Sequence, residues 1–259
     1  MIMERFSLRG KTAFVTGGAG LYGRQIVRAL HEAGATVYTT SRNRERLRVV
    51  EESFREENVA VRALEMDLGD ERSVLTAIEQ AAEESGSLDI LVNNAVERTM
   101  NGWKDPVVHF ARSMEVNATG LFAVTRAAAD RMAKQGGGSI VNIGSIQGMV
   151  GVDLTLYEGL DWSSSLPDYF FHKGGMINFT RFVASYYGMR SVRCNCVSPG
   201  GLRSGDPDER FVRRYEERTM LGRMANDTDL MGIIVFLASD ASSYITAANI
   251  PVDGGYTAK

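Results

Sequence analysis

The chain has little cysteine, little histidine and no long uncharged apolar run, and each shortage removes a class of function. Cys194 and Cys196 are the only cysteines among 259 residues. They stand two apart in the apolar run Val192 to Val197, on one face of an expected strand, which suits core side chains and disfavours a disulfide between them. The three histidines, His31, His109 and His172, lie far apart without ligand spacing to either cysteine, so no metal site is expected. No window approaches the roughly 18 uncharged apolar residues of a spanning helix. Met1 to Leu8 carries Glu4 and Arg5 where a secretory signal would be apolar. A cytoplasmic protein with no membrane partner is expected, and the glycosylation-like triplets at Asn117, Asn178 and Asn226 then have no consequence. Basic excess is missing too. Lys and Arg number 29 against 32 Asp and Glu, a net charge of −3, which leaves no cationic field for a nucleic-acid backbone.

What the sequence does contain is alternation. Short β-like runs at Thr12 to Thr16, Thr36 to Thr40, Val59 to Leu64, Ile90 to Asn93, Ser139 to Ile143, Val192 to Val197 and Asn249 to Val252 read as strands. Helical periodicity fills the gaps at Leu21 to Ala33, Arg44 to Glu56, Glu71 to Ser85, about Val107 to Lys134, Tyr169 to Gly188 and Asp227 to Ala238. This order predicts an α/β, Rossmann-type, doubly wound sheet of seven mainly parallel strands with helices on both faces. With 44% apolar residues and no linker or repeat, residues 1–259 read as one domain. Two irregular stretches, 146–168 and 200–208, follow the fifth and sixth strands, where such a sheet places its ligand, and read as substrate loops.

The first strand runs into Thr16-Gly-Gly-Ala-Gly-Leu-Tyr-Gly23 and then a helical pattern. Gly17, Gly20 and Gly23 can supply a tight turn, close approach to a pyrophosphate and close helix–strand packing, with the helix start facing the anion. A glycine-rich turn without a ligand has the same appearance, so the turn alone decides little.

Seven further pieces follow in order: Asp67-Leu68, Asn93-Asn-Ala95, Val116-Asn117, Ser145, Tyr169-Phe-Phe-His-Lys173, Ser198-Pro-Gly200 and Val252-Asp-Gly-Gly255. Together with the turn they resemble the short-chain dehydrogenases/reductases over nearly the whole chain, and the length resembles their compact branch. Leu21 departs from that branch, standing where its members carry a glycine, so that the Gly17, Gly20, Gly23 spacing is like that of the extended branch. Val96 also stands where a glycine is common. The C-terminal half is similar to a subgroup described as flagellin-modification or sugar-biosynthesis oxidoreductases.

Hydride transfer between a nicotinamide and a carbonyl needs a proton donor at the carbonyl oxygen, and a tyrosine of pKa near 10 is poorly matched to neutral pH. Tyr169 and Lys173, at i and i+4, share a helix face, so the ammonium can favour the phenolate. The resemblance implies that Lys173 also holds the cofactor ribose, that Ser145 stabilises charge on the substrate oxygen, and that Asn117 orders water linking Lys173 to solvent. Tyr157 competes for the tyrosine role, standing 12 residues after Ser145 where Tyr169 stands 24 after. Asp161 lies four beyond it and would oppose ionisation, which favours Tyr169 and implies an insertion of about a dozen residues on the substrate side.

The cofactor residues implied by the resemblance are Gly17, Gly20, Tyr22, Gly23, Ser41, Arg42, Asp67, Leu68, Asn94, Ala95, Tyr169, Lys173, Pro199 and Gly200. Strand two ends in Ser41-Arg-Asn43 and lacks the acid that would meet an adenosine ribose 2′-hydroxyl. Arg42 can pair with a 2′-phosphate, so NADP(H) is expected over NAD(H). The expected function is NAD(P)-dependent oxidation or reduction at a secondary alcohol or carbonyl. The insertion's Asp153, Tyr157, Glu158, Asp161, Trp162 and three serines suit a polar, carbohydrate-like substrate. A 3-oxoacyl or small-ketone reductase, a nucleotide-sugar epimerase or dehydratase, and a non-catalytic dinucleotide-binding regulator are the alternatives. Small apolar residues on the later helices, Ala123, Ala127, Ala128, Ala129 and Ala184, together with the resemblance, imply a homotetramer or homodimer.

Overall fold

The structure, a computed structural model, describes residues 1–160 and 166–258. Among them seven strands form one sheet: β1 (Thr12–Thr16), β2 (Thr36–Ser41), β3 (Val61–Glu65), β4 (Ile90–Asn93), β5 (Gly138–Ile143), β6 (Val192–Pro199) and β7 (Asn249–Val252). Their order is β3-β2-β1-β4-β5-β6-β7, and every pairing is parallel. The order reverses between β1 and β4, which opens a crevice beyond the carboxyl ends of the strands.

Helices α1 (Leu21–Glu32), α2 (Arg44–Arg55), α3 (Glu71–Ser85), α4 (Val107–Met114), α5 (Leu121–Gln135), α6 (Pro167–Tyr187), α7 (Glu209–Arg218) and α8 (Met231–Ala238) accompany the strands. The central strands are apolar on both sides because both faces are covered. Phe14, Leu91 and Ile140 pack with α3, α5 and α6 residues such as Ile78, Val124 and Val183. Ala13, Val15, Ile90 and Val141 pack with Ile26 and Leu30 of α1 and Ile234 and Leu237 of α8 on the other face. Each such large aliphatic side chain contributes about 1.5–3 kcal/mol by leaving water. Cys194 and Cys196 are free and fully buried in β6.

Several elements differ from the sequence-based expectation. The expected helix Val107 to Lys134 is interrupted by a π-helical stretch, Glu115–Gly120, whose wider turn separates α4 from α5. Helix α6 begins at Pro167, a residue suited to a first helical turn, and α8 begins only at Met231. Helix α7 was not foreseen, although Asp208 caps it through Arg210 N–H and Val212 and Tyr215 lie three apart on its buried side. The alanines expected at a subunit interface mostly serve the chain's own core: Ala123, Ala128, Ala129 and Ala184 are buried there, and Ala127 is partly buried against them.

The irregular stretch after β5 contains single turns at Ile146–Gly148 and Leu154–Tyr157. It is pinned to α7. Arg218 pairs with Asp153 at 2.7 Å, Arg214 donates to the carbonyl of Glu158 at 2.7 Å, and Arg210 donates to that of Gly159 at 3.2 Å. Asp153 therefore faces α7, not the cleft for which its polarity had recommended it. Asp161, Trp162 and the serines at 163–165 lie outside the described residues.

Candidate active site

A cleft of about 890 Å³ opens beyond the carboxyl ends of the strands. Its floor is the turn after β1. Gly17 has φ +67°, and a Cβ on Gly23 would stand 2.3 Å from the Gly17 carbonyl oxygen, so α1 can approach the turn only without a side chain there. Gly20 caps α1 without offering a side-chain oxygen, whereas Asn43, Asp70 and Asp208 cap α2, α3 and α7 with theirs. The start of α1 is thus left open to an outside anion, and the cleft is large enough for a dinucleotide. These features fit NAD(P).

The turn is bound to the end of β4. Thr16 Oγ1 accepts the backbone N–H groups of Asn94 and Ala95, each at 3.0 Å, and Asn94 Nδ2 donates to the Gly17 carbonyl at 2.8 Å. Tyr22 donates its hydroxyl to the Gly200 carbonyl at 2.8 Å, tying α1 to the loop after β6. Burial, reinforced by the nearby Tyr215 and Tyr169, holds the Tyr22 pKa well above that of a free phenol.

Ser145, Tyr169 and Lys173 line the same cleft. Ser145 Oγ accepts the Gln147 N–H at 3.1 Å. Lys173 is 2% exposed; its Nζ lies 5.6 Å from the Tyr169 ring centroid and donates to the Ile143 carbonyl at 2.5 Å. Burial pushes the Lys173 pKa below the usual lysine range, opposed by Tyr169 and Cys196 and assisted by Arg98. Tyr157 also lines the cleft, with its ring 5.4 Å from Phe211, so both candidate tyrosines reach it. Among the two, Lys173 packs against the Tyr169 ring.

The remaining expected cofactor residues divide. Gly17, Gly20, Tyr22, Ser41, Arg42, Leu68, Asn94, Ala95, Pro199 and Gly200 line the cleft. Gly23 does not, because it faces the glycine turn. Asp67 does not either: its carboxylate accepts the Gly69 N–H at 2.9 Å and closes the turn before α3. Asn117 lies behind the cleft, its side chain committed to local bonds. Oδ1 accepts the Glu97 N–H at 2.9 Å, and Nδ2 donates to the Glu97 carbonyl at 2.7 Å and to Ser113 Oγ at 2.9 Å. A side chain so occupied holds the loop after β4 in place.

That loop supplies residues the sequence reading missed. Glu97 accepts from Arg42 at 3.0 Å, and Arg98 stands with its guanidinium carbon 5.2 Å from the Tyr169 ring centroid. Their only signal was charge next to Asn93-Asn-Ala95. Phe211 and Tyr215 of α7 add aromatic wall. Burial raises the Tyr215 pKa to about 12, and its hydroxyl accepts the Gly201 N–H at 2.5 Å. His172 lies beneath Tyr169, with ring centroids 5.2 Å apart and edge-on. It is buried, and neither ring nitrogen has a hydrogen-bond partner among the described residues. Burial, then the Lys173 and Arg98 charges, lower its pKa to about 3.

Comparison with known proteins agrees with this geometry. A family model described as enoyl-(acyl carrier protein) reductase matches residues 20–257. The 3-oxoacyl-[acyl-carrier-protein] reductase FabG of Aquifex aeolicus (strain VF5) is 33% identical over 253 residues, 96% of this chain and 98% of that protein. The 2-dehydro-3-deoxy-D-gluconate 5-dehydrogenase of Escherichia coli (strain K12) is 31% identical over the full length of both chains. A solved gluconate 5-dehydrogenase from Burkholderia cenocepacia J2315, in complex with NADP and tartrate, superposes with a TM-score of 0.89 at 28% identity, covering 100% of both chains. Fold, cleft and relatives together establish that the chain belongs to the short-chain dehydrogenase/reductase family of NAD(P)-dependent oxidoreductases.

Proposed function

We propose that this protein exchanges a hydride reversibly between NADP(H) and a secondary alcohol or ketone on a polar, carbohydrate-like small molecule. The observation that carries this reading is the convergence of Ser145, Tyr169 and buried Lys173 on the one cleft that begins at the glycine turn. Bound NADP(H) supplies the hydride donor or acceptor. Tyr169 delivers the proton to the substrate oxygen during reduction and accepts it during oxidation. Lys173 spends one N–H on Ile143 and has two left for the ribose hydroxyls and the tyrosine oxygen. Because Ser145 Oγ accepts from Gln147, its own hydrogen is available to the substrate oxygen, where it stabilises developing charge. Asn117 is a positioning residue acting through the loop after β4.

Arg42 and Ser41 line the cleft beyond β2 and suit an adenosine 2′-phosphate, and a relative solved with NADP supports the same preference. The polar-substrate reading is supported by Ser145, Gln147 and Tyr157 in the wall and by relatives named for sugar acids. The aromatic face of Tyr157, Phe211 and Tyr215 and the relationship to a 3-oxoacyl reductase favour the second reading, an acyl ketone.

Tyr169→Phe tests the first reading. Turnover should fall at least about 100-fold with the NADPH dissociation constant nearly unchanged, since the ring stays and only the proton carrier goes. Stopped-flow rates and fluorescence titration measure the two; retention of a tenth of wild-type kcat overturns the assignment.

A further inference from the structure

The cleft is cationic in a chain that is net acidic. Arg42, Arg46, Arg98 and Lys173 line it, and among the described residues Glu97 is the one carboxylate that does. Glu97 is taken by Arg42, at 3.0 Å. Lys173 gives one N–H to Ile143 and packs against the Tyr169 ring, and its other two are assigned above to the ribose and the tyrosine oxygen. Arg98 has no ion-pair partner among the described residues, and its guanidinium lies over the Tyr169 ring face.

Two consecutive side chains thus leave the loop after β4 for opposite ends of the cleft. Asn117 holds both the N–H and the carbonyl of Glu97, which fixes the backbone from which they depart. Glu97 reaches Arg42, beyond β2; Arg98 reaches Tyr169. An exposed cation over a phenol ring is a weak contact and does not explain a fixed, unpaired charge beside the reacting group. A guanidinium is a planar fork of donors that matches a carboxylate with two parallel hydrogen bonds.

We infer that Arg98 is a specificity-determining residue that binds a carboxylate on the substrate, so that the enzyme's substrates are hydroxy or keto acids. The inference rests on the oxidoreductase reading above. The acid group sits on Arg98 while the alcohol or carbonyl carbon of the same molecule faces Tyr169 and Ser145. A neutral polyol offers Arg98 only uncharged acceptors, and no bidentate anion to match its fork of donors.

The test compares D-gluconate, D-galactonate and L-tartrate with sorbitol, galactitol and threitol as reductants of NADP+, in wild type, Arg98→Gln and Arg98→Lys. For wild type, kcat/KM should favour the acids over the matched polyols by about 100-fold, as a charge-assisted bidentate pair allows. Arg98→Gln should reduce that ratio to within a few-fold, and Arg98→Lys should restore part of it, mainly through KM. Wild-type preference for the polyols, or an equal loss on both classes in Arg98→Gln, overturns the inference while leaving the oxidoreductase reading intact. The second result would mean that Arg98 acts on Tyr169 and not on substrate. Failure of every compound, with NADPH binding shown by fluorescence and no ketone reduced, removes both.

Discussion

His172 sits three residues beyond Tyr169 and makes no hydrogen bond among the described residues, although it is only 4% exposed. It lines a cavity of about 10 Å³ together with Asn93, whose Oδ1 is also buried and, among the described residues, unpaired. The ring is neutral in the folded protein at any pH above about 3, whereas in the unfolded chain it takes up a proton below about 6.5. The unfolded state then binds more protons between these values, so the stability contribution is full above pH 6.5 and is lost as pH falls towards 3. At pH 4.5 the cost relative to pH 7 should be about 2–3 kcal/mol. Urea denaturation of wild type and His172→Phe at both pH values measures it, and an equal acid destabilisation of the two proteins would rule the effect out. Residues such as Tyr169 and Lys173 were legible in the sequence because their chemistry depends on helical spacing. His172 and Arg98 were not, because what distinguishes them is packing against a ring, which no spacing encodes.

The loop between β4 and α4 shows how one element couples two sites. Its backbone is gripped by Asn117 from the π-helical stretch, and Ser113 of α4 extends the network to Asp168 of α6 at 2.5 Å. The sequence pointed to Asn117 as a site residue, but neither the π turn nor the direction of its side chain follows from apolar periodicity, which stays helical through it. The glycine turn was legible for the opposite reason: backbone packing there admits no Cβ on Gly23, so composition and geometry coincide. At the far end of the loop, Glu97 pairs with Arg42, the residue proposed to meet a 2′-phosphate. Arg42→Ala should weaken NADPH binding about 10–100-fold and leave NADH binding nearly unchanged. Glu97→Gln should act in the other direction, tightening NADPH by releasing Arg42 and removing a nearby negative charge. Fluorescence titration of both cofactors reads the four affinities; an NADPH affinity untouched in Arg42→Ala would show that the phosphate lies elsewhere.

At the scale of the molecule, strand order and layering were legible because a parallel sheet covered on both faces imposes apolar strands separated by amphipathic helices. Assembly was less so. The alanines that suggested a subunit contact are buried against the chain's own sheet, which needs small side chains where α5 and α6 approach it closely. The outer faces of the same two helices carry something different. Phe122 of α5 and Phe182 and Tyr186 of α6 are 45%, 60% and 61% exposed. They form a ring series through Phe179, with centroids 6.0–6.5 Å apart along Phe122–Phe179–Phe182–Tyr186. Exposed aromatic rings in a contiguous row are costly in water, which makes this surface the one to test for a contact between subunits. A second copy of the same surface related by a two-fold axis would cover it, since a self-complementary patch of flat rings can stack on itself. Wild-type protein at about 10 µM is therefore expected to sediment as a homodimer or homotetramer, and Phe182→Asp to shift it towards monomer by placing like charges face to face across the axis. Far-ultraviolet circular dichroism of the variant should remain native, because Phe182 contributes little to the core. A wild-type monomer at micromolar concentration, or a variant that assembles as well as wild type, would move the interface off α5 and α6.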